Sequence, residues 1–182
     1  MLEVLLASGA QASGPAGALV PTGAGLVQVD VLEVTDAELD SLPDDPGDRL
    51  HVLAHAWAAA SSSPVTLRTD ALENLTVDIA EPGPLIAMKL QSVANRPGPK
   101  EATDLLDIVS LTLDTATGPA SRSALATANP TLRRDALLHA SLWFEDRIDR
   151  TLRLVRSIPE GRDTHLDDLR LVGELLRSPL EP

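Results

Sequence analysis

Leu85-Ile86-Ala87-Met88-Lys89-Leu90-Gln91-Ser92-Val93-Ala94-Asn95-Arg96-Pro97-Gly98-Pro99-Lys100-Glu101-Ala102-Thr103-Asp104-Leu105-Leu106-Asp107-Ile108-Val109-Ser110-Leu111-Thr112-Leu113 reads as a helix, a tight turn and a second helix. Pro97-Gly98-Pro99 is the turn, because neither proline is tolerated inside a helix. The first helix carries a single cation, Lys89, among Leu85, Ile86, Met88, Leu90 and Val93. On the second, Lys100, Asp104 and Asp107 follow at steps of four and three, which puts them on one face. The opposite face, Leu105, Leu106, Val109 and Leu113, is apolar and is expected to pack inward.

The strands precede this pair. Leu26-Val27-Gln28-Val29-Asp30-Val31-Leu32-Glu33-Val34 is the clearest strand pattern, with Val27, Val29 and Val31 on one face and Gln28 and Asp30 on the other. A carboxylate in a Val-rich strand is costly unless it is solvated, paired or metal-bound. The plain alternative is an edge strand with a wet face. Residues 2 to 7 read as a short helix stopped at Gly9, Ala18 to Val20 as a short strand, and Thr22 to Gly25 as a turn. Val65 to Arg68 and Leu75 to Ile79 read as two further short strands. His51 to Ala60 reads as a helix on which His51 and His55 lie four apart. That spacing can chelate a metal, but no third ligand follows, so a surface pair is the favoured reading.

Beyond Leu113 the chain reads as helical. Ser121 to Thr127 is short. Asn129 caps a long helix from Thr131 to Arg156, and Asp163 or Thr164 caps a last one through Leu176. Strands first and helices later make the class α+β, a small mixed sheet with packed helices and a helical C-terminal part. The expected division is residues 1 to 118 and 119 to 182.

Composition narrows the function. The 182 residues contain no cysteine, so disulfides and thiol chemistry are excluded. The net charge of −12 argues against a chain-wide nucleic-acid footprint. The charge is uneven: eight carboxylates lie between Asp30 and Asp48, whereas most basic residues follow Ser121, which leaves room for a local basic surface. No apolar run approaches the roughly 20 residues of a membrane span, and Met1-Leu2-Glu3 lacks a basic leader, so a cytoplasmic protein is expected. There is no Walker A loop, no Gly-x-Gly-x-x-Gly and no Gly-x-Ser-x-Gly. What remains is Asp30 on a strand with Lys89, Lys100, Asp104 and Asp107 on the helix pair. A strand carboxylate and a helix lysine suit a Mg–nucleotide site, the one holding metal and the other neutralising phosphate. The plain alternatives are a snorkelling Lys89 and a solvated face with i,i+4 pairing.

The run Leu-Ile-Ala-Met-Lys-Leu, then Arg96, Lys100 and Asp104-Leu105-Leu106-Asp107-Ile108, resembles the helix pair of the AbiEii-type nucleotidyltransferase toxins, which include the MenT kind. Val29-Asp30-Val31-Leu32 is similar to that family's Val-Asp-Val-Leu strand. The resemblance covers about residues 1 to 113. It implies a nucleotidyltransferase-like fold and transfer of NMP from an NTP, with Mg2+, to an RNA or protein acceptor. It also implies a cognate antitoxin as a possible partner, with self-association as another. Asp30 would be the metal ligand or base. Lys89 would contact the NTP phosphates, and Lys100, Asp104 and Asp107 would shape the nucleotide pocket. The family's first motif, a Gly-Gly or Gly-Ser turn leading to an Asp-x-Asp strand, has no counterpart before Asp30, where Glu3 is the one acidic residue. The expectation is that the chain starts just after the catalytic strand, or is a degenerate copy, and that it is weak or inactive as written. The rival expectation is a non-catalytic module that acts through protein–protein contacts.

Overall fold

The structure is a computed structural model, and it describes residues 2–31, 34–67, 75–95 and 99–181. The chain is mixed α+β, with two small antiparallel sheets and a larger helical part. It divides into two compact units, Met1–Thr35 and Asp36–Pro182. The division expected near residue 118 does not coincide with this one, because the helices after it share a core with those before it.

The first unit holds α1 (Leu2–Ala7), β1 (Gln11–Ser13), β2 (Gly17–Thr22) and β3 (Gly25–Asp30). The sheet order is β1-β2-β3. Gly23 and Ala24 turn β2 into β3 as the Gly-rich sequence predicts, and Thr22 braces the turn by donating to the Gly25 carbonyl at 2.7 Å. Asp30 sits opposite Gly17 in the register. A Cβ on Gly17 would run into the Ser13 carbonyl oxygen and stand 2.9 Å from Asp30 Oδ1, so the position favours glycine. β3 ends at Asp30, earlier than the Val-rich pattern suggests, and Leu32 and Glu33 lie outside the described residues.

The second unit holds α2 (Asp36–Asp40), α3 (Pro46–Ala60), β4 (Ser63–Leu67), β5 (Leu75–Ile79), α4 (Pro82–Asn95), α5 (Pro99–Leu113), α6 (Gly118–Thr127), α7 (Pro130–Ser141), α8 (Ile148–Arg156) and α9 (Leu166–Leu180). β4 and β5 form the antiparallel hairpin expected of them. The tip of that hairpin and the Pro97-Gly98 turn lie outside the described residues. α3 begins five residues before the predicted His51. Asp45 caps it, its Oδ1 accepting from the amides of Gly47 and Asp48, and Pro46 occupies the first turn, where a missing N–H costs nothing. Pro46 is therefore part of the helix start.

α4 is central, packing on α3, α5, α6 and α7. Its start comes close to α3 and α6 because residue 83 is glycine. A Cβ there would lie 2.8 Å from Ala124 Cβ and 3.2 Å from Trp57 Cη2. Ile86, Ala87, Leu90 and Val93 of α4 meet Leu105, Ile108 and Val109 of α5, with Leu132 and Ala136 of α7 and Leu169, Val172, Leu176 and Leu180 of α9 completing the core.

The long helix predicted over 131 to 156 is interrupted. Leu142–Asp146 winds as a π-helical turn, with Arg147 N–H donating to the Leu142 carbonyl at 2.9 Å. Trp143 and Phe144, adjacent in sequence, are both buried, at 2% and 1% exposure. An α-helix rotates neighbours 100° apart, and the wider turn helps both aromatics face inward. Thr151, buried in α8, donates to the Trp143 carbonyl at 2.7 Å, satisfying an acceptor inside the irregular stretch. The last helix starts later than expected, at Leu166, where the His165 amide donates to Asp168 Oδ2 at 2.7 Å.

Candidate functional site: a lysine held between two aspartates

The helix pair brings three of the sequence-predicted residues together. Lys89 Nζ of α4 lies 2.6 Å from Asp104 Oδ1 and 2.7 Å from Asp107 Oδ2 of α5. Ser92, one turn beyond Lys89, donates to Asp104 Oδ2 at 2.8 Å. The i,i+3 spacing of Asp104 and Asp107 explains why one ammonium reaches both. The two carboxylates differ in surroundings: the Asp104 side chain is 7% exposed and the Asp107 side chain 42%. Burial by itself would lower the Lys89 pKa, but hydrogen bonds to Asp104 and then Asp107 outweigh it and hold the ammonium above its ordinary 10.5. Lys89 is thus charged at any physiological pH.

Lys100 does not join the group. It is exposed at the start of α5, and among the described residues it makes no ion pair. The three charges of the α5 row therefore part company, with Asp104 turned into the helix interface. Glu101, not singled out by the sequence, is also buried, at 4% exposure, and takes Arg150 of α8 at 2.7 and 3.0 Å. Asp30 belongs to the first unit. It is exposed on an edge strand, and its Oδ1 accepts from Gln28 at 3.0 Å, so within that unit it is a solvated carboxylate. The matching Arg96 lies outside the described residues.

Mg2+ asks for near-octahedral oxygen ligands and is usually held by one or two carboxylates together with waters and phosphate. Both Asp104 oxygens are taken, by Lys89 and Ser92, and one Asp107 oxygen is taken by Lys89. Among the described residues no group of three or more His, Asp or Glu side chains is placed to hold a metal. The cluster does not fit a resident Mg2+, since an ammonium stands where the ion would. The His51 and His55 rings lie 4.1 Å apart, and His55 Nδ1 is 2.7 Å from the His51 carbonyl oxygen.

Two further clusters were not legible in the sequence. Arg49 of α3 forms a double hydrogen bond to Asp135 of α7, at 2.6 and 2.9 Å, with Asp135 2% exposed. Their separation of 86 residues left no local signal. Beside them His139 is buried, and neither ring nitrogen has a partner among the described residues. Burial pushes its imidazole below the ordinary 6.5, against the opposing pull of the Asp135 and Asp45 carboxylates.

A cleft of about 380 Å3 opens at the start of α4, lined by Trp57, Glu81, Gly83, Ala124 and Thr127 among others. Lys89, Asp104 and Asp107 do not line it. No helix among the described residues is long and apolar enough to cross a membrane. No protein-family model, curated protein or solved structure matches the chain.

Proposed function

We propose that the chain is a nucleotidyltransferase-like protein of the AbiEii type, a cytoplasmic toxin–antitoxin component that binds an NTP at the α4–α5 pair and passes its nucleotide to an RNA or protein acceptor. One observation supports this reading: the lysine and the two aspartates picked out by the resemblance meet in a single cluster, with Nζ 2.6 and 2.7 Å from the carboxylates. Asp104, buried and braced by Ser92, fixes the ammonium. Asp107 is half-exposed and is the exchangeable partner, so an incoming phosphate displaces it from Lys89. Mg2+ arrives with the NTP as part of the substrate. Lys100 takes the role the resemblance gives it, the pocket rim. The reaction breaks the α–β phosphoanhydride, forms an ester or amide of the acceptor and releases pyrophosphate. In-line two-metal attack uses a pair of strand carboxylates, so in this reading turnover depends on the Asp-x-Asp motif that the resemblance places ahead of Asp30.

A second reading is favoured by a specific observation. Lys89 already faces two carboxylates, so the cluster carries a net negative charge and repels a triphosphate. In this reading the helix pair is a structural clasp, and the chain is a degenerate module that works through protein contacts, with an antitoxin or with a second copy of itself.

Calorimetry with each Mg–NTP separates the two. The nucleotide reading expects saturable binding that Lys89→Ala abolishes and Asp107→Asn tightens, since the substitution removes the competitor for Lys89. Circular dichroism checks that both variants fold. No binding to any NTP, by wild type or Asp107→Asn, would refute the nucleotide reading and leave the clasp.

A further inference from the structure

In the first unit the strand order β1-β2-β3 leaves β3 with one edge unpaired among the described residues. The register decides which groups that edge offers. The Val31 amide donates to the Ala16 carbonyl at 2.7 Å, one step beyond the Gly17–Asp30 pair of the β2–β3 ladder. Hydrogen-bonded pairs recur at every second residue of an antiparallel ladder, so Val29, Val27 and Gly25 also turn their backbone groups toward β2. Leu26, Gln28 and Asp30 therefore present their N–H and C=O groups to the open edge. The two faces of the strand differ as well: Val27 and Val29 share one, and Gln28 and Asp30 share the other. Edge strands are commonly protected by a lysine, a proline or a bulge. β3 has no lysine or proline, and its pairing with β2 runs unbroken from Gly25 to Asp30. Leu26 and Val27, on opposite faces, are 59% and 49% exposed.

Charge says what fits this edge. Met1–Thr35 contains Glu3, Asp30 and Glu33 and no lysine, arginine or histidine. Asp30 accepts from Gln28 and has no cation beside it among the described residues. We propose that β3 is a docking edge for an extended basic segment of a partner protein, which adds to the sheet as its fourth strand. Main-chain hydrogen bonds to Leu26, Gln28 and Asp30 hold the segment, and its alternate side chains give the selectivity. Its lysines or arginines lie beside Gln28 and Asp30. Its apolar residues lie beside Val27 and Val29 and extend a sheet in which Ala18 is the sole buried apolar side chain among the described residues. A second β3 does not complement the edge, because it brings the same carboxylates and no cation. The proposal does not rest on the nucleotide reading, since Lys89 belongs to the second unit.

The test uses the full chain and a synthetic peptide of about nine residues in which lysine alternates with valine. The same peptide with glutamate in place of lysine controls for charge. Calorimetry follows binding, and amide exchange read by NMR locates it. Expected are saturable binding of the lysine peptide and slowed exchange at the amides of Leu26, Gln28 and Asp30. Val27 and Val29 should change little, because their amides already face β2. Gln28→Pro removes an outward N–H from an edge strand, where proline is tolerated, and should weaken binding about tenfold. Asp30→Asn leaves the backbone intact and should weaken binding and reduce its dependence on salt. The exchange pattern of Val27 and Val29 checks that the sheet persists in both variants. Equal binding of the glutamate peptide overturns the proposal. So do no saturable binding, slowing that spares β3, and binding indifferent to both substitutions. Sedimentation that finds a dimer dissolved by Gln28→Pro also overturns it and gives the edge to a second copy. Lys89→Ala should leave peptide binding in place, which keeps this test separate from that of the NTP.

Discussion

Lys89 and His139 are both moved from their ordinary titration by their surroundings, Lys89 upward and His139 downward. Replacing Lys89 by Met leaves Asp104 buried with Ser92 as its one remaining contact in the cluster. The expected loss is about 1–2 kcal/mol, reduced from that of a fully buried pair because the Lys89 side chain is 32% exposed. Urea unfolding should show it, and adding Asp104→Asn should recover part of it. The His139 prediction is one of sign. Its imidazole titrates lower in the folded chain than in the unfolded, so between those two values the unfolded state binds more protons. Stability is fully present above pH 6.5 and falls as the pH drops below it. Unfolding midpoints measured from pH 7.5 down to 5 should show the fall, and His139→Phe should flatten it. At this scale the sequence was informative where partners are neighbours on one helix pair. Lys89, Asp104 and Asp107 could be singled out because three residues separate the end of α4 from the start of α5. The burial of Asp104 could not, because carboxylates at i,i+3 on an amphipathic helix read as a wet face. Nothing local announces Arg49–Asp135 or Glu101–Arg150, since tertiary packing alone joins them.

The caps and the π-helical turn carry the predictions about elements. Asp45→Ala removes the acceptor for two amides of α3 and should cost about 1 kcal/mol, read as a lower urea midpoint, with Asp45→Asn close to wild type. Thr151→Val deletes the hydroxyl that donates to the Trp143 carbonyl, and about 1–2 kcal/mol should go with it, while Thr151→Ser should keep most of the stability. If the valine variant melts with wild type, the hydroxyl has no part in holding the turn. Helix existence was legible almost throughout, from periodicity and from the Asn129 cap. The boundaries were less so. Asp45-Pro46-Gly47 carries the same residues as a turn, and only the downstream helix decides between cap and loop. The break after Ser141 was hidden because the apolar spacing continues across it, whereas the adjacent Trp143 and Phe144 were its one visible sign.

For the whole molecule, the α+β class followed from strands preceding helices, but the relative weight of the two did not. The core runs from Leu50 to Leu180, and every member of it lies in the second unit. Residues 36–182 expressed alone should therefore unfold cooperatively, with Trp143 emission as shielded from quenchers as in the full chain. In the first unit Ala18 is the sole buried apolar side chain among the described residues, while Val4, Leu26 and Val27 are exposed. The expected split at 118 failed to foresee this because helix composition changes little across Asp114–Pro119 and the packing continues through it. α9 bears on how the chain is made as well as on how it stands. Leu169, Val172, Leu176 and Leu180 are fully or almost fully buried, yet they emerge from the ribosome after every other helix of the core. During synthesis α5, α6, α7 and α8 can assemble in turn, but the apolar faces they turn to α9 stay open until it arrives. The nascent chain is thus most in need of a chaperone in that late interval.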